Sequence, residues 1–451
     1  MGEQAVLPRG VRAGYGLGSV ATGTFGTVPG LMLLPYLTDT LGISAAVAAV
    51  IVFAPKAWDV VLNPIAGRIS DRSTDPRGPR RPFLLKGGLP LAVFFVLMFA
   101  SPDLGSRVSD GLWVLVMFVL CATAYAFFQV PYVAMPAEMT DSYDERTRLM
   151  TCRVAILAFV IMLSGALSPA IRNAVGGRGG YLVMALFAAV LLVVGVVGAY
   201  RGTAEAPVGQ PVADSASLRD QLRIVAGARD FRLLLTTFVI QALGVGAMLA
   251  GVDYVARHVL DDKGASTVLF VCFVGPALLL TPVWARVGER IGKKRGYVAA
   301  SLVLAVAALI LTGARVEPHV VVFLATALVG VGYAGIQVFP LAMLPDAAAV
   351  DARRTGRNRA GVYTGVWTAG ETLGLALGPG VFALVLALGG YVSSTDGDAA
   401  QSSSAVAAIV LGFSLLPAIL VLLSLIPLRG YSLDATAVDS FVEDQSSGAT
   451  P

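Results

Sequence analysis

The chain has 451 residues, 56% of them hydrophobic and 14% charged, with a mean hydropathy of +0.76 and a formal net charge of +4. Soluble domains carry about 25% charged residues, so this composition excludes an ordinary soluble enzyme or binding domain. The charges sit in short clusters between apolar runs, so the positive balance does not signal a nucleic-acid partner.

A bilayer is crossed by roughly 20 consecutive apolar residues, and runs of that kind recur along the whole chain. Taken in order they are 13–38, 43–67, 83–101, 111–136, 152–171, 180–200, 231–256, 266–285, 297–314, 319–344, 360–390 and 405–428. No small-residue cleavage site follows the first run, which reads as a retained span. It carries a stripe of small residues (Ser19, Thr22, Gly23, Gly26, Thr27, Gly30) that suits close helix packing or the lining of a cavity. The polar stretch between the sixth and seventh runs reads as a linker between two six-helix halves. The expected organisation is therefore a first bundle over 1–200, a cytoplasmic linker over 201–230, a second bundle over 231–428 and a disordered cytoplasmic tail over 429–451. Cys121, Cys152 and Cys272 all fall in apolar segments and read as small core residues, not as a disulfide framework. His258 and His319 stand far apart, without metal-ligand or nucleophile–base spacing, so neither an enzyme nor a bound cofactor is expected.

Positive loops stay cytoplasmic. With both termini on one side, that side holds 26 of the 33 basic residues, which predicts cytoplasmic termini and a plasma (inner) membrane protein. Two internal matches support duplication. NPIAGRISDR (63–72) lies over TPVWARVGER (281–290), and AYAFFQVPYVAM (124–135) lies over GYAGIQVFPLAM (332–343). The offsets, 218 and 208, pair the second span with the eighth and the fourth with the tenth. Such parallel repeats predict an all-α membrane protein of twelve transmembrane helices in the major facilitator arrangement, with a cavity between rocking halves. The repeated cytoplasmic charges, Arg68, Asp71 and Arg72 in one copy and Arg286, Glu289 and Arg290 in the other, are gating candidates. Exposed ion pairs worth about 0–1 kcal/mol each break readily. The same charges would also serve as plain positive-inside anchors.

Lys56 and Asp59 lie three residues apart inside the second apolar run, hence on one helical face, and Asn63 continues that face. An ionised side chain at mid-bilayer costs about 2.5–3.5 kcal/mol and is by default a candidate for ion coupling. Mutual neutralisation within a packed helix pair is the alternative. Lys56-Ala-Trp58-Asp59 with Asn63-Pro64 resembles the second-helix signature of the glycoside–pentoside–hexuronide:cation symporters. Tyr36-Leu-Thr-Asp39, Val130-Pro131-Tyr132 and the acidic-basic loop from Asp141 to Arg146, leading to Arg153, extend the resemblance over most of the chain.

That resemblance implies cation-coupled symport of a small, glycoside-like solute by alternating access, with H+ or Na+ as the coupling ion. In the sugar-carrying members the cation site uses two helix-two aspartates together with an aspartate and a threonine of helix four. Here Asp59 keeps the first, Asn63 replaces the second, and Gln129 and Ala126 fall at the helix-four positions. Asp59, Asn63 and Gln129 are thus the expected coupling group, and the single retained carboxylate favours a proton. The family's helix-one sugar-binding acid falls near Gly23, and its helix-eleven lysine aligns with Glu371, a charge reversal. Lys56, Tyr125, Arg153, Gln337, Trp367 and Glu371 are the expected substrate-facing residues. Loss of the sugar-binding acids leaves a second reading, transport of a lysolipid or other amphiphile, as in a distant branch of the family. A non-transporting receptor of the same fold is a third. The expected partners are a small-molecule or lipid substrate and the surrounding membrane lipids, with the chain a monomer.

Overall fold

The computed structural model describes residues 7–102, 104–140, 143–206, 218–316, 319–355, 360–395 and 399–433. Among these the chain is built from α-helices, one short 3-10 turn and connecting loops, with no strand. Apolar runs in hydrocarbon leave no other choice, because a helix satisfies all of its backbone hydrogen bonds internally. Eleven helical segments of the described residues are long and apolar enough to cross a membrane. The helix α2 (Ala45–Asp71) covers the remaining expected span and carries Lys56 and Asp59 within its apolar sequence. The protein is an integral membrane protein of the major facilitator fold.

Contacts divide the chain into two compact units, Met1–Ser215 with Gly390–Ser402, and Ala216–Gly389 with Ser403–Pro451. Unit 1 contains α1 (Arg9–Asp39), α2, α3 (Arg81–Phe99), α4 (Arg107–Met139), α5 (Tyr143–Val175) and α6 (Gly177–Gly202). Within it α1 packs on α5 and α6, α3 on α4 and α6, and α2 on α4. The α1–α6 contact is close because Gly14 faces Gly202. A Cβ on either would fall inside the van der Waals radius of the other's backbone.

Unit 2 opens with a ten-residue amphipathic helix, α7 (Leu218–Gly227), in the stretch read from sequence as linker. It continues with α8 (Arg229–His258), α9 (Ala265–Ile291), α10 (Lys293–Ile310), α11 (His319–Thr355) and α12 (Ala360–Leu388). The final span is divided at Ser414 into α13 (Ser403–Phe413) and α14 (Leu415–Arg429). Here α8 packs on α12 and α14, α10 on α11 and α14, and α9 on α11. This is the contact pattern of unit 1 with each helix replaced by its repeat partner. The duplication extends to local detail. Helices α2 and α9 are both 27 residues long, and α4 and α11 carry prolines five residues apart, Pro131 and Pro136 against Pro340 and Pro345. Helices within a membrane tolerate such prolines because neighbouring groups re-satisfy the freed carbonyls.

Candidate functional site

In unit 1 the polar residues gather on α1, α2, α4 and α5. Asp59 is buried, 8% exposed, just before the small core in which Leu62 and Ala66 of α2 pack against Ala126 of α4. Its neighbour Trp58 is half-exposed and donates its indole N–H to Thr123 Oγ1 at 3.1 Å, tying α2 to α4 beside the carboxylate. The charges of Asp59 and Arg153 both reach the phenol of Tyr125, whose ring lies 4.6 Å from that of Phe25. Gln129, one turn further along α4, accepts a hydrogen bond from Thr22 Oγ1 at 3.2 Å. Asn63 is exposed, so two positions four residues apart on α2 have different surroundings, one packed and one open. The Lys56 and Asp71 side chains lie outside the described residues.

Arg153 is half-buried, its guanidinium 5.5 Å from the centre of the Tyr132 ring and Nη1 3.9 Å from Met150 Sδ. A cation over an aromatic face is held by the ring's quadrupole. Tyr132 is itself fixed, stacked on Tyr15 at 4.7 Å and donating to the Tyr15 carbonyl at 2.7 Å, with Ser19 Oγ 3.3 Å from its hydroxyl. Arg153 Nε is buried, with no hydrogen-bond partner among the described residues. Simple snorkelling to an interface would leave that nitrogen in water.

The small-residue stripe of α1 splits accordingly. Ser19 and Thr22 hydrogen-bond to α4, and Gly23 packs on Leu157 of α5, whereas Gly26 and Gly30 face open space.

In unit 2 a small recess is lined by Phe238 and Gln241 of α8, Tyr333 and Gln337 of α11, and Glu371 of α12, among others. Gln337 lies against the Glu371 carboxylate, and the field of that carboxylate reaches Tyr333. The repeat-matched pair Gln129 and Gln337 therefore has two different jobs, one against a threonine and one against an acid. Trp367 is 2% exposed and stacks on Phe238 at 4.5 Å, so it backs the recess while Phe238 forms the wall. Gln241 donates through Nε2 to Ser301 Oγ (3.0 Å) and Ser424 Oγ (2.8 Å) and accepts from the Tyr297 hydroxyl (2.9 Å).

At the helix ends Arg68, Arg72, Arg286, Glu289 and Arg290 are exposed, with no ion pair to another described residue. A different duplicated ion pair stands there. Arg80, before α3, pairs with Glu138 near the end of α4, and Lys293 at the start of α10 pairs with Asp346 of α11 at 2.6 Å. Glu138 and Asp346 are 208 residues apart, the offset already visible in 124–135 and 332–343, and continuing that match by three residues finds both acids. In the loop before α3 the Arg77 guanidinium holds the Asp75 carboxyl down to about 2, so this pair stays ionised at any physiological pH. Glu145, read from sequence as loop, lies in the first turn of α5; it is buried and binds Arg148 at 2.7 Å, with Arg12 3.8 Å away.

Sequence reading also missed Tyr391, whose hydroxyl donates to Asp39 Oδ1 at 2.6 Å, next to a backbone bond from Ser394 N to the Thr38 carbonyl at 3.0 Å. Segment 390–402 thereby belongs to unit 1, although it joins two helices of unit 2. No periodicity in a short polar loop announces this. Among the described residues no group of three or more His, Cys, Asp or Glu side chains comes together as a metal site would require.

Two repeat-related helical units, each with polar residues gathered within its apolar spans, suit a transporter. The chain belongs to the MFS/sugar transport protein family, whose sequence profile matches residues 14–435. It is similar to the inner membrane symporter YicJ of Escherichia coli, 25% identical over 99% of this chain and 96% of that protein. It is also similar to the glucuronide carrier protein homolog of Escherichia coli, 27% identical over 84% of each chain. The sodium-dependent lysophosphatidylcholine symporter 1 of Mus musculus is 25% identical over 74% of this chain and 68% of its own. Among solved structures, a bacterial homolog of the human lysosomal transporter Spinster superposes with a TM-score of 0.66 at 12% identity, covering 96% of this chain and 97% of that one. The protein is a transporter and not an enzyme, as the resemblance to glycoside–pentoside–hexuronide symporters implied.

Proposed function

We propose that the protein is a cation-coupled symporter of a small, glycoside-like solute, working by alternating access in the plasma (inner) membrane as a monomer with both termini cytoplasmic. The observation that carries this reading is Asp59, a carboxylate buried within α2 in a chain whose relatives are named as symporters. Burying a charge there is costly, and a reversible charge is what ion coupling uses. Asp59 takes the coupling ion, with Asn63 four residues on along α2 and Gln129 on α4 as neutral oxygen donors. One carboxylate with two amides suits a proton better than sodium. Lys56, Tyr125 and Arg153 in unit 1, and Gln337, Glu371 and the Trp367-backed wall in unit 2, serve the substrate. The buried, unpartnered Nε of Arg153 is a donor awaiting an acceptor. Arg68, Asp71 and Arg72, with Arg286, Glu289 and Arg290, form and release the cytoplasmic gate.

In proteoliposomes with an imposed proton or sodium gradient, Asp59→Asn is expected to abolish accumulation of a labelled glycoside while counterflow exchange continues. If the variant accumulates as much as the parent protein, Asp59 is structural and the coupling assignment falls.

Similarity to a lysophosphatidylcholine symporter favours a second reading, in which an amphiphile is the cargo. A thermal-stability screen with glycosides and lysolipids, with and without sodium, separates the two. A ligand at a hundredfold excess over its Kd stabilises by about 2.7 kcal/mol. Stabilisation by lysolipids alone, against a matched-detergent control, would replace the glycoside reading.

A further inference from the structure

The recess in unit 2 has an electrostatic asymmetry. Its lining includes one carboxylate, Glu371, and no lysine, arginine or histidine. One lining amide, Gln337, lies against the Glu371 carboxylate itself. Gln241 turns its N–H groups to Ser301 and Ser424 and its carbonyl to Tyr297. Gln241 is left with no free N–H for an incoming anion. The remaining walls are the aliphatic Ala242, Val245, Ile336 and Leu375 and the aromatic Phe238 and Tyr333, whose ring faces attract cations and repel anions. Away from bulk water, like charges a few ångströms apart repel far more strongly than in solution. The acid is also no leftover of the duplication: the residue 218 positions earlier, the offset that superposes 63–72 on 281–290, is Arg153. Arg153 belongs to unit 1 and does not line the recess.

We propose that Glu371 is a charge filter: the unit 2 recess admits the uncharged or positively charged headgroup of a substrate and rejects an anionic one. The inference rests on the reading that this recess receives substrate, and it holds for either cargo class. Among glycosides it selects neutral or amino sugars against hexuronides. Among lysolipids it selects choline headgroups against glycerol ones.

The test uses the full-length protein in nanodiscs and two matched ligand pairs. The first is methyl β-D-glucoside with methyl β-D-glucuronide. The second is lysophosphatidylcholine with lysophosphatidylglycerol of the same chain length. In the parent protein the uncharged or zwitterionic member of the binding pair is expected to bind at least tenfold more tightly than the anionic one. Glu371→Gln should shrink that ratio below threefold by gaining affinity for the anion, and Glu371→Asp, which keeps the charge, should preserve it. Equal or tighter binding of the anionic member by the parent overturns the filter. So does an unchanged ratio in Glu371→Gln protein whose helix content and melting temperature match the parent. Binding by the lysolipid pair alone, with the ratio as expected, defeats the glycoside reading and keeps the filter. Saturable binding by none of the four defeats both.

Discussion

Gln241 shows how a polar side chain inside an apolar span is made structural. Both of its N–H groups and its carbonyl are committed within unit 2, to Ser301, Ser424 and Tyr297. Intramembrane side-chain hydrogen bonds average about 0.6 kcal/mol each, so Gln241→Leu is expected to destabilise the protein by about 2 kcal/mol. Unfolding in mixed micelles would measure this, and an unchanged midpoint would show the network to be energetically idle. Asp59, Arg153 and Glu371 differ in kind. Each is a charge inside an apolar span, and the transport and binding tests above address Asp59 and Glu371. Asp59 and Glu371 stood out in the sequence because an acid in an apolar run is conspicuous. Trp367 stood out because it lies four residues before Glu371 on the same helical face, and yet it is packed against Phe238, since spacing marks an aromatic without saying which of two stacked rings meets the recess. Phe238 itself carried no signal, being one apolar residue among many.

Helices meet in each unit through small residues and a few polar ties, because lipid chains are as apolar as leucine and hydrophobicity alone does not drive helices together. At the α1–α6 crossing, Gly14→Ala would push a methyl group into the Gly202 backbone. Overpacking of that kind costs about 1–3 kcal/mol, and a fall in the thermal midpoint of the purified variant would register it. The loop tie at the end of α1 makes a separate prediction. Tyr391→Phe removes the buried hydroxyl bond to Asp39, and the amide of Ser394 should then exchange with deuterium faster than in the parent protein while α1 keeps its protection. Unaltered exchange at Ser394 would mean that the backbone bond to Thr38 holds the loop unaided. The spans themselves came out within a few residues of the apolar runs. The structure adds the turns beyond them, as in α11, which continues to Thr355 past a run ending at 344. Helices project from the bilayer where charged residues replace apolar ones, and hydropathy does not see that part.

For the molecule as a whole, the basic residues carry the orientation. Fusing a reporter active only in the cytoplasm to either terminus is expected to give signal, and fusion within 259–264 is expected to give none. A silent C-terminal fusion would reverse the assigned topology.

Twelve apolar runs, their duplication, the basic loops and the intramembrane acids are all written along the chain. Each reflects transfer of a side chain between water and hydrocarbon, a property of the residue and its near neighbours. The family followed from a handful of such residues around Lys56 to Pro64. Pairings across the fold are another matter. That Gln129 meets a threonine while Gln337 meets Glu371, that Arg80 and Lys293 hold equivalent acids, and that residues 390–402 fasten to Asp39 all depend on distances between segments far apart in sequence. Packing sets those distances, and packing is a property of the assembled helices, not of any one of them.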